Sequence, residues 1–323
     1  PGRRALKSGR CRARPEMASS AHLGFWARAM DFNILLGNLK PHLWEMVSDS
    51  VRFVRLALEA EGASVRVGTN QLDNRAINLF FDRFYEDQTL PHQMKLAGIR
   101  YGLVCTEVLS TDGTWNYGAE GGGGAEFAAF ELAAQGAAFV WCLLEESVPA
   151  CAAMNANTAY LPFGFLPAME TLRRAPETGR DIDVLLCGLP SPRRDQIMQQ
   201  FADDGLAICY PAMPVPAHVR DALLERSRIN LSIQKTDAHE IISVSRICHS
   251  VINRVPVFLE TSHADAMFAK LCLTVKPGEA AGVKRHLQDT DLEAWAEARY
   301  QELADTMPMA ETMKRVLAET LEP

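Results

Sequence analysis

The chain has no close cysteine pair, no long apolar run and no basic balance, and each absence narrows what it can be. Cys11, Cys105, Cys142, Cys151, Cys187, Cys209, Cys248 and Cys272 include no CxxC spacing. Several lie inside apolar stretches, so they read as buried free thiols of a reducing cytosol rather than as disulfides or a zinc site. No uninterrupted apolar run is long enough to span a bilayer. The net charge of −7 excludes a general nucleic-acid surface, which needs a concentrated basic face. His239, His249 and His263 share no metal-ligand spacing. The glycines Gly121 to Gly124 are not a GxGxxG fingerprint, since they do not sit between a strand and a helix in the required way.

What remains is a chain of 323 residues, 48% hydrophobic, long enough for two cores. Pro1 to Glu16 carries Arg3, Arg4, Lys7, Arg10, Arg12 and Arg14 against a single acid. It lacks the amphipathic pattern of a targeting segment and reads as a disordered extension or translated upstream sequence. Residues 1–30 are set apart from the fold.

The most structured stretch is 181–260. Asp181 to Gly188 is an apolar strand pattern ending in glycine. An amphipathic helix follows through Phe201, then a strand over Leu206–Tyr210. Arg228 to Gln234 reads as another strand, Glu240 to Asn253 as a helix, and Val255 to Glu260 as the next strand. The amino-terminal half repeats the alternation. Phe32–Gly37 is a strand and Trp44–Glu61 a helix, with Met46 and Val47, Val51, Val54 and Leu58 on one face. Strands follow at Ala63–Val67, Ala76–Phe81, Tyr101–Thr106, Phe139–Leu144 and Tyr160–Gly164, with a helix over Ala125–Gln135. Such alternation predicts parallel α/β sheets. The domains are placed at 31–166 and 181–323, with terminal helices from Asp291 to Leu321 in the second. Residues 167–180 are the linker.

Parallel sheets bind ligands beyond the carboxyl ends of their strands, and the candidate residues are chosen by that rule. Gly188, Arg193 and Arg194 follow the first strand of the second half, near a helix start where N–H groups and arginine forks suit a phosphate. The two arginines can equally pair with Asp195 or Glu225. Arg246 stands beside an apolar helix face of Val244, Ile247 and Val251, where a charge needs a partner or a ligand. Glu260 ends an apolar strand and suits ribose hydroxyls, or simple exposure. Gln234 and Ser243 complete the donor-binding set. In the first half, Glu107 follows a buried strand and is either a general base or a helix cap. His42, in the first loop, is a base or acceptor contact, or a solvated loop residue. Asp112 to Gly124 predicts a mobile loop with Trp115 and Tyr117 available to stack on a sugar or lipid. Asp181 and Asp183 precede their strand, so they lie away from the crevice, and no metal is expected.

The order Cys105-Thr-Glu107, Val140-Trp141, Tyr160 to Phe165, Asp181 to Gly188 with Arg193-Arg194, and Ser245-Arg246 to Glu260 resembles bacterial glycosyltransferases of the GT-B fold. It is similar to those with a family-one glycosyltransferase or spore-maturation CgeB-like carboxy-terminal domain, over roughly Phe32 to Val275. The resemblance implies two Rossmann-like domains facing across a cleft, with a nucleotide sugar held mainly by the second. It also implies that the terminal helix crosses back to the first. The chain departs from the pattern at Ser232-Ile-Gln234, where an Asn-Ile-His-like ending is expected, and at His249, where related enzymes often carry glutamate. The expected activity is metal-independent, hexosyltransferase-like transfer from a nucleotide-sugar co-substrate to an unknown glycan, lipid or protein acceptor, with no cofactor. A nucleotide-sugar epimerase and a non-catalytic nucleotide- or sugar-binding protein are the alternatives. The expected location is cytoplasmic, with peripheral contact at the inner membrane left open.

Overall fold

A computed structural model describes residues 30–116, 123–211, 215–237, 241–260 and 268–321. Cys11, Tyr117, His239, Glu240, His263 and the amino-terminal basic stretch lie outside them.

The first unit is a six-stranded parallel sheet of β1 (Asp31–Leu35), β2 (Ser64–Gly68), β3 (Ile77–Phe81), β4 (Tyr101–Cys105), β5 (Val140–Cys142) and β6 (Thr158–Tyr160), in the order β2-β1-β3-β4-β5-β6. Its helices are α1 (Trp44–Ala60), α2 (Leu90–Leu96), α3 (Gly124–Gly136) and α4 (Val148–Met154). Strands β3 and β4 are buried along their whole length, as expected of a sheet covered on both faces. Alternate residues divide between two cores. Leu79, Phe81 and Val104 pack with Phe53, Val54 and Leu58 of α1, while Phe80, Leu103 and Cys105 pack with Phe130 and Ala133 of α3.

The second unit is a five-stranded parallel sheet of β7 (Ile182–Leu185), β8 (Ile208–Cys209), β9 (Ser227–Ser232), β10 (Val257–Glu260) and β11 (Leu273–Val275), ordered β11-β10-β9-β7-β8. Its first-to-last strand logic matches the first unit: the chain steps out one way, returns, and continues on the other side of its opening strand. Helices α5 (Pro192–Asp203), α6 (Ala217–Glu225), α7 (Val244–Ile252), α8 (Ala280–Asp289) and α9 (Leu292–Thr306) follow. The Ser191 hydroxyl caps α5 by accepting from the Arg194 N–H at 3.2 Å, with Pro192 opening the helix, the arrangement that a missing first-turn donor favours.

The final helix, α10 (Met309–Leu321), lies on the first unit. Met309, Met313 and Val316 are buried in the same core as α1, and Trp141 Nε1 donates to Thr320 Oγ1 at 3.1 Å. That core also includes Ile247, Val251, Val257 and Leu259 of the second unit, so apolar packing runs continuously through both.

Boundaries differ from the sequence reading where local chemistry intervenes. The strand expected over Tyr160–Gly164 is instead Thr158–Tyr160, because Pro162 has no N–H to continue a ladder. The helix expected over Glu240–Asn253 starts at Val244, with Ser243 at its N-cap. Helices α2, α4, α6 and α8 and strand β11 were not anticipated. Among the described residues, Cys105, Cys142, Cys151, Cys248 and Cys272 are buried and free, and Cys187 and Cys209 are partly exposed and free.

Candidate functional site

The two sheets present their carboxyl ends to a common cleft. Two cavities of about 260 and 380 Å³ lie there and share Asn116, Arg194, Lys235, Ser243, Ser245 and Arg246. The first is walled by Thr106 and Glu107 after β4, Leu143 after β5, Ser232 at the end of β9 with Ile233 to Lys235 after it, and the start of α7. The second runs along Glu45 and Asp49 of α1, Cys187 to Leu189 after β7, Arg220 of α6 and His249 of α7.

In the second sheet the strand order reverses between β7 and β9, which is where an open α/β sheet offers a crevice. Buried Arg194 staples this point. Its Nη1 donates to the Leu189 carbonyl and its Nη2 to the Ile233 carbonyl, each at 2.8 Å, so one guanidinium ties the loop after β7 to the loop after β9. Its Nε has no partner in the structure. Arg193 does the same one strand further along. Its Nε donates to Asp237 at 2.8 Å, and its Nη1 to the Gln234 carbonyl at 3.3 Å and to Glu260 at 3.1 Å. Glu260, 2% exposed, also accepts the Gln234 N–H at 3.0 Å. The pair therefore braces the ends of β9 and β10.

Arg246 is different. It lines both cavities in the first turn of α7, and among the described residues nothing accepts a hydrogen bond from it. Burial, then repulsion from Arg194, pulls its pKa down to about 10. Gly188 sits under both guanidinia: a Cβ there would lie 2.9 Å from Nη1 of Arg194 and 3.2 Å from Nη2 of Arg246. Ser243, the N-cap of α7, makes no side-chain capping bond and lines both cavities. A helix N-terminus beside a charged fork is suited to an anion.

Across the cleft, Glu107 lines the first cavity. Burial, then the neighbouring Asp82, pushes its carboxyl group up to about 7 against the opposing pull of Arg83. His42 lies exposed on the turn Pro41–Leu43 and lines neither cavity. Trp115 corrects an expectation: it is 7% exposed and packs on Phe130 with ring centroids 5.6 Å apart, so it is core and not a stacking platform.

Asp181 pairs with Arg226 at 2.9 Å, and Asp183 accepts the Ala207 N–H at 2.9 Å, both at the amino end of β7. No group of three or more His, Cys, Asp or Glu side chains among the described residues is arranged to hold a metal ion.

Residues outside the candidate set chosen from the sequence join the two units. Arg220 of α6 is ion-paired to Asp49 of α1 and to Asp221 at 2.7 Å. His249 Nε2 lies 3.1 Å from the same Asp221 oxygen, and its Nδ1 is buried without a partner. Asp82 directly follows the buried strand β3, as Glu107 nearly follows β4, so the rule that selected Glu107 would have found it.

Two parallel Rossmann-like sheets of like order, facing across a cleft, define the GT-B fold. No protein-family model and no curated protein sequence matches the chain. Solved structures share its fold. An α,α-trehalose 6-phosphate synthase from Burkholderia multivorans superimposes with a TM-score of 0.55 at 9% identity, over 90% of this chain and 98% of that one. A trehalose-6-phosphate protein from E. coli, bound with UDP-2-fluoro glucose, gives 0.53 at 10%, over 91% and 99%. A candidate UDP-N-acetylglucosamine 2-epimerase from Listeria monocytogenes gives 0.52 at 12%, over 90% and 95%.

Proposed function

We propose that this protein is a metal-independent glycosyltransferase that takes a nucleotide-activated hexose and passes the sugar to a hydroxyl on a glycan, lipid or protein. The observation that carries this reading is Arg246, a cation in the cleft with no acceptor among the described residues, set over a glycine and at a helix start. A diphosphate supplies the charge that such a group lacks. The fold relative from E. coli, bound with UDP-2-fluoro glucose, is consistent with a sugar nucleotide in this cleft.

In this reading the diphosphate lies against Arg246, Gly188 and the α7 N-terminus. Guanidinium and helix N–H groups stabilise the negative charge that develops on it. In an inverting reaction Glu107 takes the proton of the acceptor hydroxyl as that oxygen bonds to the anomeric carbon. The bond from that carbon to the diphosphate oxygen breaks, and its electron pair leaves with the diphosphate. Arg193, Arg194 and Glu260 hold the strand ends that frame the site.

A second reading, a binding protein without turnover, is favoured by His249. Where the resemblance implies a glutamate, the chain has a buried histidine engaged with Asp221.

The test is a thermal-shift screen with UDP, GDP, ADP, CMP and dTDP, with and without magnesium, since a ligand of the folded state raises its stability. A shift with one diphosphate, unchanged by magnesium and abolished in Arg246→Ala, supports the site. Transfer to an acceptor panel then separates the enzyme from the binding protein. No shift with any nucleotide removes the proposed site.

A further inference from the structure

At the carboxyl end of β3, Asp82 holds a left-handed backbone with φ of 54°, a region that residues with a Cβ seldom adopt. Its own hydrogen bonds hold it there. The Asp82 N–H donates to the Val104 carbonyl at 2.8 Å. The two carboxylate oxygens take both donors of Thr106: Oδ1 accepts its N–H and Oδ2 its hydroxyl, each at 2.7 Å. Asp82 is 4% exposed and forms no ion pair with a cation among the described residues. Its chain neighbour Arg83 turns away to Glu126 at 3.2 Å and over the ring of Tyr85. The next residue after the clamped threonine is Glu107, and Thr106 and Glu107 both line the first cavity.

We propose that Asp82 is a positioning residue: by gripping Thr106 through both carboxylate oxygens, it fixes the Glu107 carboxyl group in the cleft that faces the second sheet. That Glu107 accepts the proton of an acceptor hydroxyl rests on the glycosyl-transfer reading; the clamp and its charge do not. An ionised Asp82 beside Glu107 also opposes the loss of the Glu107 proton, by like-charge repulsion. The other charged and titratable groups acting on the pair are Arg83 and Tyr85 after β3 and Cys151 of α4. Arg194, Lys235 and Arg246 line the cavity from the second unit.

The test follows the Glu107 carboxyl carbon by NMR in the full chain labelled with carbon-13 glutamate, its signal assigned by loss in Glu107→Gln. Asp82→Asn keeps an acceptor for the Thr106 N–H and removes the charge. The Glu107 midpoint is expected to fall by about one pH unit, with nucleoside diphosphate affinity by calorimetry unchanged within twofold. If transfer has been found, the acid limb of its pH profile moves down with the midpoint. An unmoved Glu107 midpoint in a folded Asp82→Asn protein overturns the proposal. Should that variant not fold, the clamp is loosened at its other member: Thr106→Val removes the hydroxyl that Asp82 Oδ2 accepts and leaves the Asp82 charge in place. The Glu107 midpoint is expected to shift, and an unmoved Glu107 midpoint in folded Thr106→Val also overturns the proposal. A chain that binds no nucleotide yet shows the coupling disproves the proposed function and leaves the Asp82 assignment standing.

Discussion

Arg193 and Glu260, 67 residues apart in sequence, meet fork to fork at the carboxyl end of the second sheet, with one contact at 3.1 Å. Each satisfies the other's charge. The pair thus sets the spacing of β9 and β10, and neither of its members is left without a partner among the described residues in the way Arg246 is.

Removing Arg193 strands a nearly buried carboxylate. Arg193→Ala is expected to destabilise the fold by about 3 kcal/mol, the cost typical of breaking a buried pair from one side. A neutral double variant, Arg193→Met with Glu260→Leu, should recover most of that loss. Urea unfolding of the single and double variants decides it: equal losses would mean the pair is not coupled.

Gly188→Ala tests the close approach of two guanidinia. The added carbon pushes against Arg194 Nη1 and Arg246 Nη2, and Arg194 cannot yield without giving up the Leu189 carbonyl. A nucleoside diphosphate should bind about tenfold or more weakly, the cost of one displaced charge-assisted hydrogen bond. Calorimetry on the folded variant reads this, and unchanged affinity would place the phosphate elsewhere.

Glu107 should govern the acid side of the transfer profile. With its carboxyl group raised to about 7, the basic form grows as pH passes upward through that value, so kcat/KM should rise there and level off above. Glu107→Gln should lower turnover about a hundredfold or more while leaving nucleotide affinity intact. A profile flat from pH 6 to 8, measured on the intact chain, would assign the base to another group; about 6 to 8 brackets the raised value.

Asp221 makes stability acid-sensitive. Burial alone would raise its carboxyl group, but the His249 hydrogen bond and Arg220 outweigh burial and hold it at about 2. Its folded pKa lies below the ordinary value of about 3.9. Its stabilisation is therefore complete above about pH 4 and lost as pH falls toward about 2. Asp82 and Glu107, held at about 6 and about 7, act oppositely: their contribution is present at low pH and declines as pH climbs from about 4 to about 7. Thermal melts across pH should show a shallower acid decline in Asp221→Asn. Parallel curves for variant and parent would exclude Asp221 as the source.

The sequence by itself determined the alternation of strands and helices and the two parallel sheets. These follow from the spacing of apolar residues along short stretches, a property of near neighbours in the chain. It also singled out Arg246, because a charge set beside Val244, Ile247 and Val251 is anomalous before any fold is known. The cues were local, so elements as short as α2 and α4, a single turn or two with little periodicity, went unread. Tertiary structure decided which partner each charge meets. Arg193 on Glu260, Arg220 on Asp49, and Asp82 on Thr106 join segments that no spacing rule connects. It also left His42 outside the cleft, brought His249 to its wall and buried Trp115. The physical reason is desolvation. A polar group's role depends on what replaces its lost water, and in this protein the replacement comes from residues distant in the chain.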